Sequence, residues 1–481
     1  MRDIRELHAT VVAAGFAAAV VLGGSVARAE VTLSKDATQD MSCSGGVCAP
    51  TNDRAVLNAG DLETMLAAGN VTVVTINSGV QARNIRVATA LSWTAATSLT
   101  LDAFRSITVT GAVTDEGAGG VSIITNDGGS GGSLSFLRKG SITFPNPKDS
   151  LSINGTSYKL VTDIRSLARA AVANPGGAFA LADNYDAKRH HLFRTVPLPV
   201  VFTGAFNGLG HSISGPEIGD SADEYVGFIW SLESPGTISG FGLKNVVIES
   251  PDAQGTGGLV GYMQGGTVSN SWVSGSVQGG GSARGIVGTN SFSGTIVNSW
   301  SSAQVTRWSA GGLVGDNQGT IELSFATGDT TGYNTQTGGE NAQAGGLVGY
   351  SSAGAILNSY ATGTAQGPGS GAEVGGLIGN SYETGIDGSY ATGMAEAGGA
   401  NAVAGGFAGT TDVSNINNCY WDTTTSGTLT GVGQGSNTGV TGLTTTQLQS
   451  GLPAGFDPHV WAENPDVNEG LPYLIANPPP R

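Results

Sequence analysis

The chain has 481 residues, of which 78 are glycine, and only 12% are charged, against about 25% in an average globular protein. Its apolar content of 39% and the regular spacing of those residues argue against disorder, which goes with low hydrophobicity and high charge. The formal net charge of -16 would repel phosphate backbones and anionic lipid heads, which argues against nucleic-acid or membrane-surface partners. The composition indicates a repetitive, packed fold with neutral or cationic partners, such as glycans.

The first 29 residues have the pattern of a secretory signal peptide. Arg2 and Arg5 precede an apolar run from Ala9 to Leu22, and Ala27-Arg28-Ala29 is a small-x-small cleavage pattern. A transmembrane anchor is the alternative, but it needs about 20 apolar residues, and Gly23 ends this run early. We expect cleavage after Ala29, no membrane span in the mature chain, and an extracellular or cell-surface location, with the periplasm as the alternative.

Residues 30–70 form a leader that carries two of the three cysteines. Cys43 and Cys48 flank a short Ser-Gly-Gly-Val segment, which predicts a small disulfide loop in an oxidising compartment. A metal site is the alternative, but two thiols without a nearby histidine leave a metal under-ligated. Cys419 lies in an apolar strand pattern, where we expect a buried, inert thiol. The leader also contains a predicted helix over Asp61 to Ala68.

Residues 71–187 form an irregular β-rich region. Short β-branched and apolar runs alternate there with glycine-rich turns, and they lie at Val71 to Ile76, Ser98 to Leu101, Ser106 to Val109, Val121 to Thr125 and Ser141 to Phe144. A second helix is predicted over Asp163 to Ala173, before Asn174-Pro175-Gly176. We expect this helix to mark a break between the upstream region and the regular repeats.

Residues 188–442 contain a repeated sequence motif of the form Gly-Gly-Leu-Val-Gly. Six copies begin 27 to 34 residues apart, at Gly257, Arg284, Gly311, Gly345, Gly375 and Gly405. A degenerate seventh copy begins near Val226. The central aliphatic or aromatic positions are Leu259, Ile286, Leu313, Leu347, Leu377 and Phe407, and each is followed by an aromatic residue at Trp272, Trp300, Phe325, Tyr360, Tyr390 or Tyr420.

This period predicts an all-β fold, a parallel β-helix of about seven coils. One such unit cannot bury its apolar face alone, but stacked coils pair equivalent strands about 4.8 Å apart. We expect the central aliphatic residues and the aromatic residues to form the repeat core, because like then packs on like. A recurring asparagine, at Asn270, Asn298, Asn358 and Asn418, is expected to form a hydrogen-bonded ladder along the stack.

Gly-Gly-Leu-Val-Gly followed by Ile-x-Asn-Ser-Tyr-Ala-Thr-Gly resembles the GLUG-motif repeat. The stretch from Phe202 to Ile213 and the sequence Asn418-Cys419-Tyr420-Trp421-Asp422 likewise resemble parts of filamentous-haemagglutinin-like bacterial exoproteins. The resemblance implies a secreted or surface-exposed adhesin that binds glycans or proteins. It also raises an outer-membrane secretion pore as a partner, although the nearest match to the family's Asn-Pro-Asn secretion signature is Asn174-Pro175-Gly176.

Residues 443–481 are expected to be a cap with a short frayed tail. Thr445 to Ser450 suits one helical turn, and a stack of coils leaves unpaired edges and an open core that terminal elements must cover. The predicted organisation is therefore a leader, an irregular β region, a repeat β-helix and a cap.

The repeats offer little material for catalysis. Between Gly255 and Gly409 there are two basic residues, eight acidic residues and no lysine or histidine. Asp316 shares its repeat column with uncharged residues, so no carboxylate pair lines up there for glycoside hydrolysis. The GLUG motif also occurs in metallopeptidases, but the chain lacks their His-Glu-x-x-His motif. We therefore expect no enzyme activity and no catalytic, cofactor-binding or metal-ligating residues.

One basic cluster interrupts this acidic chain, at Lys188-Arg189-His190-His191. It could contact an anionic ligand, but a solvated junction loop is the simpler interpretation. The sequence also leaves two alternatives to adhesion open: a polysaccharide-active enzyme on the same scaffold, and a structural spacer or remnant of a larger exoprotein.

Overall fold

The computed structural model describes residues 29–189, 192–219, 222–280, 282–291, 293–333 and 341–480. Most of the predicted signal peptide and both histidines of the basic cluster lie outside these residues. Within them, short strands pair in parallel with the equivalent strands of the next coil. The predicted all-β, parallel β-helical fold is confirmed.

The strands of the repeat region and its approaches lie in four sheets. Sheet I contains Met41–Ser44, Val47–Pro50, Val71–Val74, Ser98–Asp102, Gly120–Ile124, Ser150–Ile153, Thr156–Val161, Ala178–Leu181, Ala205–Asn207, Thr237–Ser239, Thr267–Ser269, Thr295–Val297, Thr320–Glu322, Ala355–Leu357, Gly385–Asp387 and Asn415–Asn417. Sheet II contains Leu198–Phe202, Ile229–Glu233, Val260–Gln264, Val287–Asn290, Val314–Asn317, Val348–Ser352, Ile378–Tyr382, Ala408–Asp412 and Val432–Gln434. Sheet III contains Tyr225–Val226, Gly255–Gly257, Ser282–Arg284, Ser309–Gly311, Gln343–Gly345, Glu373–Gly375 and Val403–Gly405. Sheet IV contains Tyr185–Asp186, Ser212–Ser214, Glu217–Gly219, Gly242–Ser250, Trp272–Gly279, Trp300–Ser301, Gln304–Thr306, Phe325–Ala326, Thr330–Thr331, Tyr360–Ala361, Ala365–Gly367, Tyr390–Ala391, Ala395–Ala397, Cys419–Asp422 and Val440–Leu443.

Smaller sheets and helices complete the chain. Sheet V contains Glu30–Ser34, Arg54–Asn58, Asn84–Val87, Ile107–Val109 and Leu134–Phe136, and sheet VI contains Leu91–Trp93, Ala112–Asp115 and Ser141–Thr143. Two hairpins pair Ile76–Asn77 with Val80–Gln81 and Trp461–Ala462 with Tyr473–Leu474. The α-helices are α1 (Ala59–Ala68), α2 (Ile164–Ala173) and α3 (Thr445–Leu448), and short 3-10 turns lie at Ala187–Arg189 and Asn468–Gly470.

The expected break at α2 is a change of strand direction within a continuous sheet. Asp163 caps the helix, because its carboxylate accepts a 2.7 Å hydrogen bond from the backbone N–H of Ser166. Just upstream, Ser150–Ile153 and Thr156–Val161 form an antiparallel hairpin, after which sheet I resumes parallel pairing into the repeats. Leu160 belongs to the upstream apolar core and Val161 to the downstream core. The upstream core also includes Ala180 and Leu209, so the two cores overlap along a sheet that runs through both.

The Gly-Gly-Leu-Val-Gly motif forms a tight turn that joins a strand of sheet III to a strand of sheet II, as residues 257–261 do between Gly255–Gly257 and Val260–Gln264. We call it the re-entrant turn, because its central side chain points into the coil. Leu259, at its tip, is fully buried, and its backbone N–H donates a 2.9 Å hydrogen bond to the carbonyl of Ile286 in the next coil. A Cβ placed on Gly257 would lie closer than 3.0 Å to the carbonyl of Val260 and the amide of Gly288. The two strands therefore approach so closely that only glycine fits. The equivalent tips, at Ile286, Leu313, Leu347, Leu377 and Phe407, are also fully buried in the same core.

The aromatic column is in register, but it points out of the coil, which corrects the expectation that it lines the interior. Strand alternation decides this, because the residue after each aromatic faces inward, as Ala326, Ala361 and Ala391 do. Ring centroids are 4.8 Å apart for Phe325 and Tyr360 and 5.1 Å apart for Tyr360 and Tyr390. Successive rings are nearly parallel along the whole stack, which contains Trp272, Trp300, Phe325, Tyr360 and Tyr390. Tyr420 occupies the next position in the strand register.

The carboxyl-terminal segment, residues 444–480, lies along this outer column. Its Leu448, Phe456, Trp461, Leu471 and Leu474 form one apolar cluster with the aromatic side chains. These contacts lie on the side of the coil stack. That the segment also covers the open end of the stack remains a prediction. The segment packs here because it covers aromatic side chains that would otherwise be exposed. Burying each of them stabilises the fold by about 1.5–3 kcal/mol.

The predicted asparagine ladder is replaced by a serine ladder. Asn270, Asn298, Asn358 and Asn418 all have φ between 46° and 50°, so they form left-handed corners, which asparagine tolerates better than most residues. Where their side chains bond, they bond to other residue types: Asn418 donates to the Asp387 carboxylate at 2.9 Å, and Asn358 accepts from the Trp461 indole at 3.3 Å. The adjacent serines connect the coils instead: the hydroxyl oxygens of Ser299, Ser324, Ser359 and Ser389 accept hydrogen bonds of 3.1–3.3 Å from backbone N–H groups of the preceding coil.

The three cysteines have separate structural roles. Cys43 and Cys48 are joined by a disulfide across the hairpin of Met41–Ser44 and Val47–Pro50. Cys419 is buried at the position that serine occupies in earlier coils, with its Sγ 3.0 Å from the carbonyl oxygen of Asn417. Burial raises the pKa of this thiol to about 12, so it stays protonated and unreactive at neutral pH.

Candidate binding surface

The outer face of sheet II carries a continuous column of polar and aromatic side chains. In each strand the third residue points outward, and these residues are Tyr262, Thr289, Asp316, Tyr350, Asn380 and Thr410. This is the column that the repeat spacing indicates for Asp316. All six side chains are half-buried, because neighbouring coils lie only about 4.8 Å away. The column gives the repeat stack an outward polar stripe.

A second column on the same face is formed by the fifth residues of the longer strands. It contains Glu233, Gln264, Ser352, Tyr382 and Asp412. Tyr382 is 38% exposed. The nearby Glu383 carboxylate, by its charge and then by accepting a hydrogen bond, raises the pKa of the Tyr382 hydroxyl, and Asp412 and Tyr350 add to this effect. Two tyrosines and two carboxylates therefore lie together at one end of the face.

Side chains of sheet III meet this face across the re-entrant turn. The Asn380 amide donates a 2.7 Å hydrogen bond to the Glu373 carboxylate, which also accepts a 3.4 Å hydrogen bond from the Gln343 amide. At the other end, the rings of Tyr225 and Tyr262 have centroids 4.7 Å apart. The mouth of the turn is thus bridged by hydrogen-bonded and stacked side chains, which hold these groups in place.

The face is acidic. None of the positions named in its two columns is lysine or arginine, whereas Glu233, Asp316 and Asp412 are carboxylates. Glu373 and Glu383 add further negative charge close by. Such a surface repels polyanions and favours neutral or cationic ligands.

One buried carboxylate that sequence reasoning missed, Asp115, lies upstream of the repeats. Asp115, in sheet VI, is fully buried, and burial raises the pKa of its carboxyl to about 6, with the charge of Asp149 adding to the shift. Its Oδ1 accepts a 3.1 Å hydrogen bond from the Gly117 amide. The sequence did not indicate this burial, because a polar residue at the end of a short strand is expected at the surface. Its burial places Asp115 in the interior rather than on a ligand-accessible surface.

The basic cluster is only partly described, and its first residue lies at the surface. Lys188 is exposed, and the side chains of the next three residues in the predicted basic cluster fall outside the described part. Across the residues that the structure describes, histidine, cysteine and carboxylate side chains form no group of three or more able to hold a metal. In the same residues, no helix has the length and apolar character needed to cross a bilayer.

Comparison with known proteins identifies the repeat. The GLUG motif matches residues 340–366. An alignment 205 residues long, which covers 37% of this chain and 2% of the relative, is 29% identical to halomucin from Haloquadratum walsbyi. The chain thus spans only a small part of the length of that relative. A crystal structure of a candidate immunoglobulin A1 protease from Bacteroides ovatus aligns with a TM-score of 0.43 and 21% identity, over 66% of this chain and 93% of the other. A GLUG motif therefore lies within the parallel β-helical repeat region of this chain.

Proposed function

We propose that this protein is an exported, surface-exposed or secreted binding protein that contacts glycans or other proteins through its repeat rod and performs no catalysis. The observation that carries the proposal is the outward stripe on sheet II, where equivalent positions recur in register from coil to coil. Repeated contacts of this kind add up, because weak individual interactions gain strength through multivalency.

Export is supported by three observations. The amino-terminal residues have the pattern of a secretory signal peptide, and the chain shares 29% identity over 205 residues with halomucin. The Cys43–Cys48 disulfide also fits an oxidising compartment. Likeness to filamentous-haemagglutinin adhesins, and passage through an outer-membrane pore, belong to the same proposal.

The first experiment tests location. Intact cells that express the full chain are treated with an external protease while the medium is assayed for the protein, and a known periplasmic protein serves as the control for membrane integrity. We expect the chain to be degraded on cells or found in the medium while the control stays intact. Protection of the chain together with the control would place it in the periplasm and would contradict a role at the cell exterior.

The second experiment tests binding. The purified chain, beginning at residue 30, is applied to immobilised glycans and to extracellular matrix proteins, with an unrelated acidic β-helical protein as the control. We expect saturable binding to at least one surface. Binding no stronger than the control on every surface would contradict the proposal.

A further inference from the structure

The sheet II face, defined by its two outward columns, combines aromatic rings with fixed hydrogen-bonding groups. Tyr350 and Tyr382 lie on neighbouring coils near the Asp412 and Glu383 carboxylates. The Asn380 amide is held by Glu373. Tyrosine presents an apolar ring and a polar tip, so this end of the face offers flat apolar area next to oriented hydrogen-bond donors and acceptors.

The carboxyl-terminal segment does not occupy this face. It packs on the aromatic column of sheet IV, where Tyr360 and Tyr390 are fully buried in contact with Trp461. Tyr382 keeps 38% of its surface exposed. The two sets of aromatic residues therefore differ: one is part of the folded core, whereas the other is available to a ligand.

Charge and chemistry together select the ligand. A polyanion is repelled by the carboxylates of this face. Neutral sugars, in contrast, present hydroxyl groups that donate to carboxylate and amide oxygens, and C–H faces that pack on tyrosine rings. Because equivalent positions recur about every 4.8 Å along the stack, an extended chain that runs along it would pass Tyr350, Tyr382 and Asp412 on three successive coils.

We infer that the sheet II face binds a neutral polysaccharide that runs along the coil stack and packs on Tyr350 and Tyr382, while Asn380, Asp412 and Glu383 bond to its hydroxyl groups. This inference rests on the proposed binding function and deepens it by naming the face and the ligand class.

The test uses the full exported chain and titration calorimetry with cellohexaose, xylohexaose and mannohexaose, and with heparin and polygalacturonate as polyanions. The variants are Tyr382→Ala alone and Tyr350→Ala combined with Tyr382→Ala. Tyr333→Ala is the matched control, because Tyr333 is 44% exposed and follows a strand of sheet IV. We expect at least one neutral hexasaccharide to bind. We also expect binding to weaken at least tenfold in the double variant, to weaken in the Tyr382 variant and to stay unchanged in the control.

Each other outcome overturns the inference in a distinguishable way. Equal neutral-sugar binding by all variants would remove the ligand from this face and leave a binding function elsewhere. Binding only of polyanions or of matrix proteins would refute the ligand class and leave the proposed function standing. Failure to bind any glycan or protein would refute both. Thermal unfolding of each variant checks that the substitutions, including the one at half-buried Tyr350, leave the fold intact.

Discussion

The indole ring of Trp461 lies 5.8 Å from the ring of Tyr390, so the carboxyl-terminal segment and the repeat stack share one apolar cluster. Trp461 is 1% exposed and also contacts Phe456 and Tyr360. The segment therefore depends on the aromatic column for its own packing, and the column depends on the segment for its burial.

Trp461→Ala should detach this segment. Removing a buried tryptophan costs about 3–5 kcal/mol, and the indole ring is part of the apolar cluster that holds residues 444–480 against sheet IV. Limited proteolysis with mass spectrometry should show cleavage within the segment before cleavage of the repeats. Leu429→Ala, at a fully exposed position, should leave the pattern unchanged. Resistance of the Trp461 variant equal to that of the native chain would contradict the packing of this segment on the aromatic column.

Tyr390→Phe should weaken the same contact through one hydroxyl group. That hydroxyl donates a 2.6 Å hydrogen bond to the carbonyl of Pro472 and accepts a 2.9 Å bond from the Asn468 amide. The Asn468 amide also donates a 2.9 Å hydrogen bond to the Pro472 carbonyl, so both groups keep a partner, and the loss is that of a hydrogen bond, about 0.5–1.5 kcal/mol. Urea unfolding should show this loss, whereas Tyr382→Phe, at an exposed position, should not. Equal stability of the two variants would mean that the buried bonds add nothing.

Asp115→Asn should flatten the pH dependence of stability. Because burial raises the pKa of the folded carboxyl from 3.8 to about 6, protonation favours the folded state, and this contribution is lost as the pH rises through that range. In the native chain, this group should therefore lower the free energy of unfolding as the pH rises from about 4 to about 6. The neutral amide of the variant should abolish that decrease. The measurement is urea unfolding at several pH values. An unchanged pH profile in the variant would show that Asp115 titrates normally.

Gly311→Ala should destabilise the repeat stack, whereas Gly385→Ala should not. A Cβ at residue 311 would collide with the backbone of Val314 and lie 2.6 Å from the amide nitrogen of Gly349, but a Cβ at residue 385 would meet nothing within 4 Å. Forcing atoms into a packed site costs about 1–3 kcal/mol or more. Differential scanning calorimetry of both variants provides the comparison. A similar melting temperature for the two would contradict the re-entrant turn.

The sequence predicts the repeat geometry well because identical coils impose identical pairing. The helix predicted over Asp61 to Ala68 is observed as Ala59–Ala68, and that predicted over Asp163 to Ala173 as Ile164–Ala173. The direction of the aromatic side chains could not be predicted in the same way. Tyr360 and Ala361 are adjacent in a short strand and either side chain can be buried, so the sequence pattern does not tell which one faces the interior of the coil. Tyr360 can face outward because the distant carboxyl-terminal segment buries its ring.

The candidate surface was only partly visible in the sequence. The register of Asp316 with Tyr350 follows from the repeat, but the nearness of Tyr382 to Glu383 and Asp412 depends on how neighbouring coils stack. The serine ladder was missed because serine is abundant throughout the chain, and its special role appears only when the hydroxyl oxygen of Ser359 is placed 3.3 Å from the Ser324 amide.

The re-entrant turn constrains how such chains can change in evolution. Its glycines and buried tips fix the strands on either side, whereas the connection between Thr331 and Gln343 is longer than its counterparts and leaves the strand register intact. Duplication or deletion of one whole coil therefore preserves the backbone pairing at the new junction, while a change of one or two residues inside the turn does not. Rod length can be inherited in units of a coil, and loops between the coils can diversify independently.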